Sequence, residues 1–484
     1  MNTRSNLEPH PGVGRREFLG ALAAPAIVGV SAGKRPPNIV LILADDLGWA
    51  DLGCYGGDLH ETPNIDRLAR QGVRFTDAYS AAPVCTPTRA SIMTGRHPAR
   101  LHMTIWSEAA ANPPGDRKLL PPVTLPDLPL SEVTLAEALR EKGYLSASVG
   151  KWHLGDAAHA PEAQGFDINI GGTHWGAPQT FFYPYRGARH YGGEFRYVPH
   201  LEFGKPGEYL TDRLTEEALR VIDGARAQPF FLCLAHHAPH TPIEGKAALV
   251  QHYAGRIRPG MHHRNAAYAA MIASLDESVG RVLAKLDQAG LTQDTVVVFT
   301  SDNGGYINPY GGENVTSNYP LRSGKGSLYE GGVRVPLIVR WPGVTPAGAT
   351  CTAQAISTDL HATVLDAGGL KGSEAYRRGV DAASLVPLLR DPRGKLEREA
   401  LYFHYPHYYA TTTPVGAVRA GDWKLVEYFE DRRVELYDLS NDLGESNDLA
   451  KKSPGKAREL LSMLQTWRNT VGAQMPAANP NYRK

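Results

Sequence analysis

Cys85-Thr86-Pro87-Thr88-Arg89 places a sulfur nucleophile, a helix-starting proline and a permanent cation within one short stretch. Proline fits the first helical turn, where its missing N–H leaves no bond unmade. The stretch therefore reads as a loop entering a helix that runs on through Ala90-Ser91-Ile92-Met93-Thr94 to Gly95-Arg96. Cys85 then lies at the positive end of that helix with Arg89 about one turn on, and both favour an anion beside the sulfur. A lone cysteine of this kind is ordinarily core filler. The pentapeptide around it points to chemistry instead.

Two further stretches carry oxygen donors. Asn38-Ile39-Val40-Leu41-Ile42-Leu43-Ala44 is a continuous apolar run, the pattern of a parallel strand buried on both faces, and Asp45-Asp46 follows at once. Thr295 to Ser301 repeats the pattern and ends in Asp302-Asn303. In open α/β sheets, ligands collect beyond the carboxyl ends of the strands. Carboxylates crowded there repel one another unless a hard cation neutralises them. Oxygen donors without His or Cys among them suit Ca²⁺ or Mg²⁺ better than zinc. Either pair alone could be a helix cap or a turn. Their recurrence after two apolar strands favours the metal.

Cations come from three other places. Lys151 and His153 follow an apolar strand at Tyr144 to Ser148 and stand two apart, so an extended segment would put them on one side. Phe230 to Ala235 reads as another buried strand and leads into His236-His237-Ala238-Pro239-His240. Lys325 sits in the Gly-rich stretch Ser323-Gly324-Lys325-Gly326.

Cys85-x-Pro87-x-Arg89 followed by Thr94-Gly95-Arg96 resembles the signature of the type I sulfatases of the alkaline phosphatase superfamily; Thr88 stands where that family has Ser or Ala. The resemblance implies that Cys85 is oxidised by a formylglycine-generating or sulfatase-maturating enzyme, giving a hydrated aldehyde as nucleophile. It implies one metal ion, usually Ca²⁺ and less often Mg²⁺, held by Asp45, Asp46, Asp302, Asn303 and the modified Cys85. It places Arg89, Lys151, His153, His240 and Lys325 around a sulfate monoester. One hydroxyl of the aldehyde hydrate would attack sulfur, His240 or Lys325 would protonate the leaving alcohol, and His153 would take the second hydroxyl's proton as sulfate departs. Glu330 to Pro336 would be a loop supporting the site, with His236 and His237 as neighbours.

The elements that position these residues predict an α/β fold: a large, mostly parallel mixed sheet flanked by helices, over residues 36–390. A charged linker, Arg390 to Glu399, precedes short alternating strands at Ala400 to Tyr405, Gly416 to Arg419, Asp422 to Tyr428 and Val434 to Asp438, then a helix from Pro454 to Val471. Residues 398–484 thus read as a smaller α+β subdomain, an antiparallel sheet plus one helix. Residues 1–32, with Arg15-Arg16-Glu17-Phe18-Leu19 before a short apolar run containing Pro25, read as a twin-arginine signal peptide. That predicts use of the twin-arginine translocase, export from a bacterium and no stable membrane insertion after cleavage.

Composition narrows the class of function. Lys and Arg total 51 against 50 Asp and Glu, which argues against a nucleic-acid or membrane-surface partner. Four cysteines are too few for a disulfide scaffold. His102, Trp106, His174, Trp175 and His404-Tyr405-Pro406-His407-Tyr408-Tyr409 lie in loop-like stretches and suit a sugar face, although about half of such rings pack the interior. The expected activity is sulfate-ester hydrolysis on a glycan sugar. A phosphonate or phosphate monoester hydrolase and a non-enzymatic glycan-binding relative stay open as alternatives.

Overall fold

Five parallel strands, Thr295–Ser301, Asn38–Ala44, Phe230–Ala235, Leu145–Gly150 and Ile168–Ile170, lie side by side in the computed structural model, which describes residues 35–371, 373 and 379–482. Leu337–Arg340 joins Thr295–Ser301 antiparallel, and Val73–Phe75 and Ala349–Cys351 complete an eight-stranded mixed sheet. The expected signal peptide lies outside the described residues.

Alternation along the central strand explains why its apolar run is continuous. Val40, Ile42 and Ala44 enter one core with Leu214, Ala218, Tyr268 and Leu275, from helices Leu210–Gly224 and Ala266–Gln288. Ile39, Leu41 and Leu43 enter a second core with Ile92, Leu135 and Val364, from helices Cys85–Thr94, Leu135–Arg140 and Thr358–Ala367. Both faces of the sheet are covered, so Ile39 to Ala44 are all apolar, and the one polar residue, Asn38 at the strand's start, donates its amide to the Thr295 hydroxyl at 3.2 Å.

The strand register sets the level of the site. Ala44 pairs with Ser301, so Asp45 and Asp302 leave adjacent strands together. Leu43 pairs with Ala235 and Gly150 also pairs with Ala235, which brings His236 and Lys151 to the same edge.

Strands Leu401–Tyr405, Val415–Ala420, Trp423–Tyr428 and Val434–Asp438 form the expected antiparallel sheet in sequence order. Leu460 and Leu464 of helix Pro454–Val471 pack on one face, against Val418, Leu425 and Leu436. The other face, with Phe403, Tyr405 and Val426, packs on Val84, Leu328 and Val333. It therefore backs the residue before Cys85 and the loop after Lys325. Pro36–Lys484 forms one compact unit. None of the described helices is long and apolar enough to cross a membrane.

Candidate active site

Helix Cys85–Thr94 starts at Cys85 itself, so the thiol sits on its first turn, entirely within the protein. The sulfur approaches Asp45 Oδ1 at 3.5 Å. Burial pushes the Cys85 thiol well above its ordinary range, and the nearby ammonium groups of Lys151 and Lys325 do not overcome it. Arg89 is engaged elsewhere: its Nε donates to Asp302 Oδ2 at 2.8 Å and its Nη1 to the Lys151 carbonyl at 2.9 Å. It lies beneath the site rather than lining it.

The carboxylates are paired one by one. Lys151 Nζ donates to Asp45 Oδ2 at 2.7 Å, with both side chains wholly buried. Lys325 Nζ stands 2.7 and 2.8 Å from the two oxygens of Asp46. Burial holds Asp45 up at about 7, with Asp302 and Asp46 adding repulsion against the attraction of Lys151. Burial also opposes the charge on Asp46, but Lys325, His240 and the Asn303 amide outweigh it and hold Asp46 at about 2. Asp46 adopts a left-handed backbone, φ 63°, and its amide donates to Asp302 Oδ1 at 3.3 Å. Asn303 Nδ2 donates to Asp46 Oδ1 at 2.8 Å, while Asn303 Oδ1 is buried without a partner. Ligand atoms of Asp45, Asp46, Cys85 and His240 lie within 4.8 Å of one another. Asp45, Asp46, Asp302 and Asn303 bring oxygen donors together, a spare buried amide oxygen among them, and that set fits a hard divalent ion.

A cavity of about 210 Å³ opens above this cluster and is lined by Asp46, Cys85, His153, His240 and Lys325. Lys151 and His153 do not share one face of an extended segment, contrary to expectation. The strand ends at Gly150, φ 101°, and His153 has φ 59°, so the chain turns between them. A side chain at Gly150 would collide with the Ala235 carbonyl at 2.0 Å, which is why glycine makes that turn. Lys151 reaches Asp45 while His153 Nε2 lies 2.8 Å from Glu108 Oε2. His240 Nδ1 donates to the Thr241 carbonyl at 2.7 Å, leaving Nε2 3.5 Å from Asp46 Oδ2. Burial holds His153 down at about 4 and His240 at about 3, with Lys151 adding to the effect on both and Lys325 on His240. Both rings are therefore neutral at pH 7. His236 bonds Ser278 at 2.9 Å, and neither ring nitrogen of buried His237 has a partner.

Of the aromatic candidates, only Trp106 and Tyr409 line the cavity. His404 and His407 are buried against Gln474 and Thr104, and Tyr408 bonds Glu430. Trp175 packs inside with its indole N–H on Glu194. His102 bonds the Gly472 carbonyl. Glu108, Tyr191, Arg196 and Tyr306 also line the cavity, and none of them carried a signal in the sequence. They come from short helices and loops without motif spacing, and only folding brings them together.

A parallel α/β sheet whose strand ends converge on a buried nucleophile position, carboxylates and ammonium groups defines a hydrolase of anionic esters. The family model described as Sulfatase matches residues 37–370, and that described as N-sulphoglucosamine sulphohydrolase, C-terminal, matches residues 324–469. The chain belongs to the sulfatase family and is a hydrolase acting on sulfuric esters. It is 35% identical to arylsulfatase A of Homo sapiens, over 96% of this chain and 92% of that protein. It is also 35% identical to N-acetylgalactosamine-6-sulfatase of Homo sapiens, over 84% of this chain and 75% of that protein. The crystal structure of Ps i-CgsB in complex with k-i-k-neocarrahexaose superposes with a TM-score of 0.76 at 29% identity, covering 93% of this chain and 95% of that one. These matches favour sulfate esters over the phosphate or phosphonate alternative.

Proposed function

We propose that this chain is an exported sulfatase that removes sulfate from a glycan sugar, using Cys85 converted to formylglycine and one Ca²⁺ ion, or less readily Mg²⁺. The observation that carries the reading is the convergence of Cys85, His153, His240 and Lys325 on one cavity directly above Asp45 and Asp46. Asp45, Asp46, Asp302, Asn303 and the modified Cys85 would hold the ion, which supplies Lewis-acid stabilisation of charge on the ester.

The chain's own residues supply the rest. Lys325 and Lys151 are the cations for the ester's nonbridging oxygens. Arg89 holds Asp302 and the Lys151 carbonyl in place from below. His153, a neutral imidazole, accepts a proton at the nucleophile. His240 is neutral without a ligand, and an anionic ester beside it favours the protonated form that gives a proton to the leaving oxygen. Trp106, Tyr191, Tyr306 and Tyr409 offer ring faces and hydroxyls suited to a sugar. The names of the human N-acetylgalactosamine-6-sulfatase and of the k-i-k-neocarrahexaose complex support a carbohydrate substrate.

Residues 36–390 would form the catalytic part and residues 398–484 the supporting subdomain. The partners implied are a sulfated glycan, a formylglycine-generating or sulfatase-maturating enzyme and, from residues 1–32, the twin-arginine translocase. A tryptic mass spectrum of the Cys85 peptide tests the modification. Cys85→Ser, made in a host with only cysteine-oxidising machinery, should fold and be inactive; near-normal turnover would end the formylglycine reading.

A further inference from the structure

Glu108 and Asp46 are the two acidic residues lining the cavity. Asp46 belongs to the cluster already described; Glu108 does not. It sits on the short helix Ser107–Ala111, outside every motif that the sequence offered. Its two oxygens are both in use. Oε2 lies 2.8 Å from His153 Nε2, and Oε1 accepts the Gly176 N–H at 2.9 Å with Arg196 Nη1 3.5 Å away. Burial opposes the charge on Glu108, but His153 and the Gly176 amide outweigh it and hold the carboxyl below its ordinary range. An ionised carboxylate only accepts hydrogen bonds, so the proton of a neutral His153 must be on Nε2. Nδ1 is then the open nitrogen, and it is buried without a partner.

The pair is also held mechanically. Gly176 packs flat on the His153 ring, where an added Cβ would stand 2.4 Å from Cε1. The Thr86 hydroxyl donates to the His153 carbonyl at 2.9 Å and accepts the Ser107 N–H at 3.2 Å. The residue next to Cys85 therefore ties together the segments that carry His153 and Glu108. The other charges acting on His153 are Lys151 and Arg89, which disfavour imidazolium and leave Glu108 as the group that supports it.

We propose that Glu108 is a positioning residue for sulfate-ester hydrolysis: it fixes the His153 proton on Nε2 and leaves Nδ1 free to accept a proton. The proposal rests on the reading of His153 as the base. Glutamine at this position has one acceptor oxygen for two N–H donors. Gly176 cannot give up its N–H, so the glutamine NH₂ turns to His153 and forces the proton onto Nδ1.

The test is Glu108→Gln in the full-length enzyme with ¹⁵N-labelled histidine. Long-range ¹H–¹⁵N correlation spectra report the tautomer, and His153→Ala identifies the resonance. Wild type should show the Nε2–H form and Glu108→Gln the Nδ1–H form, with an unchanged melting temperature. On a nitrophenyl sulfate, kcat should fall at least about tenfold, as expected of a misplaced tautomer, with KM changed by less than about threefold. Glu108→Ala is the second variant, and added formate should restore part of its kcat. One tautomer in both proteins, absence of formate rescue, or a raised KM at unchanged kcat would overturn the proposal. The spectra need no turnover, so a wild type inert towards sulfate esters would overturn the functional reading while leaving the tautomer result to stand by itself.

Discussion

Lys424 Nζ stands 2.8 Å from Glu330 Oε1, and both side chains are completely shielded from solvent. Glu445 Oε1 is 2.9 Å from the same ammonium, and the Tyr79 hydroxyl donates to Glu330 Oε2 at 2.7 Å. This contact fastens the antiparallel sheet to the loop that follows Lys325. Removing one partner of a buried ion pair leaves a charge without solvent or counter-charge. Lys424→Met should therefore destabilise the protein by about 3–5 kcal/mol, read as a lower urea midpoint. Burial already raises Glu445 to about 7. An unchanged midpoint would show that protonated carboxyls replace the lost cation.

Metal removal should act on the same side of the molecule as catalysis. Purified protein should contain one alkaline-earth ion, measured by elemental analysis, and chelation should abolish sulfate-ester hydrolysis and lower the melting temperature. Asn303→Ala should weaken the metal, because it removes both the spare Oδ1 and the Nδ2 donor that holds Asp46 Oδ1 at 2.8 Å. Stoichiometric zinc would contradict the oxygen-ligand assignment.

His240 should matter in proportion to the leaving group. A sugar alkoxide needs a proton as it departs, whereas a nitrophenolate hardly does. His240→Ala should slow a sugar sulfate on the order of 10²-fold or more, and a nitrophenyl sulfate far less. Equal losses on both substrates would remove His240 from the acid role.

A pH effect on stability should arise away from the catalytic groups. His263 Nδ1 lies 2.6 Å from Asp58 Oδ1, and its Nε2 lies 3.3 Å from Asp51 Oδ1. Burial opposes the charge on His263, but contact with Asp51 and Asp58 outweighs it and holds the imidazolium up at about 9. A histidine raised from 6.5 stabilises the fold fully below pH 6.5, and that contribution is lost as pH rises through about 9. Urea midpoints should fall across that window, with a loss on the order of 3 kcal/mol. In His263→Gln the slope should disappear; persistence of the slope would place it on another group.

The sequence alone determined the parallel α/β architecture, the four-stranded C-terminal sheet with its helix, and the strand-end motifs. Each is local: a short continuous apolar run bounded by turns has the pattern of a doubly buried strand, and a ligand pair directly after such a strand emerges at the sheet edge. Strand Asn38–Ala44 was legible for that reason, and the closing helix was read at about the bounds it has, Pro454–Val471. Tertiary structure alone decided the partners. Arg89 meets Asp302, 213 residues away, because strand register and helix placement bring those two together. The turn at Gly150 sends His153 away from Lys151, and the facing partner it meets, Glu108, lies in a segment with no periodicity. Residue types and short-range spacing are written along the chain, whereas which charge faces which is set by register, turn geometry and packing between segments far apart in sequence.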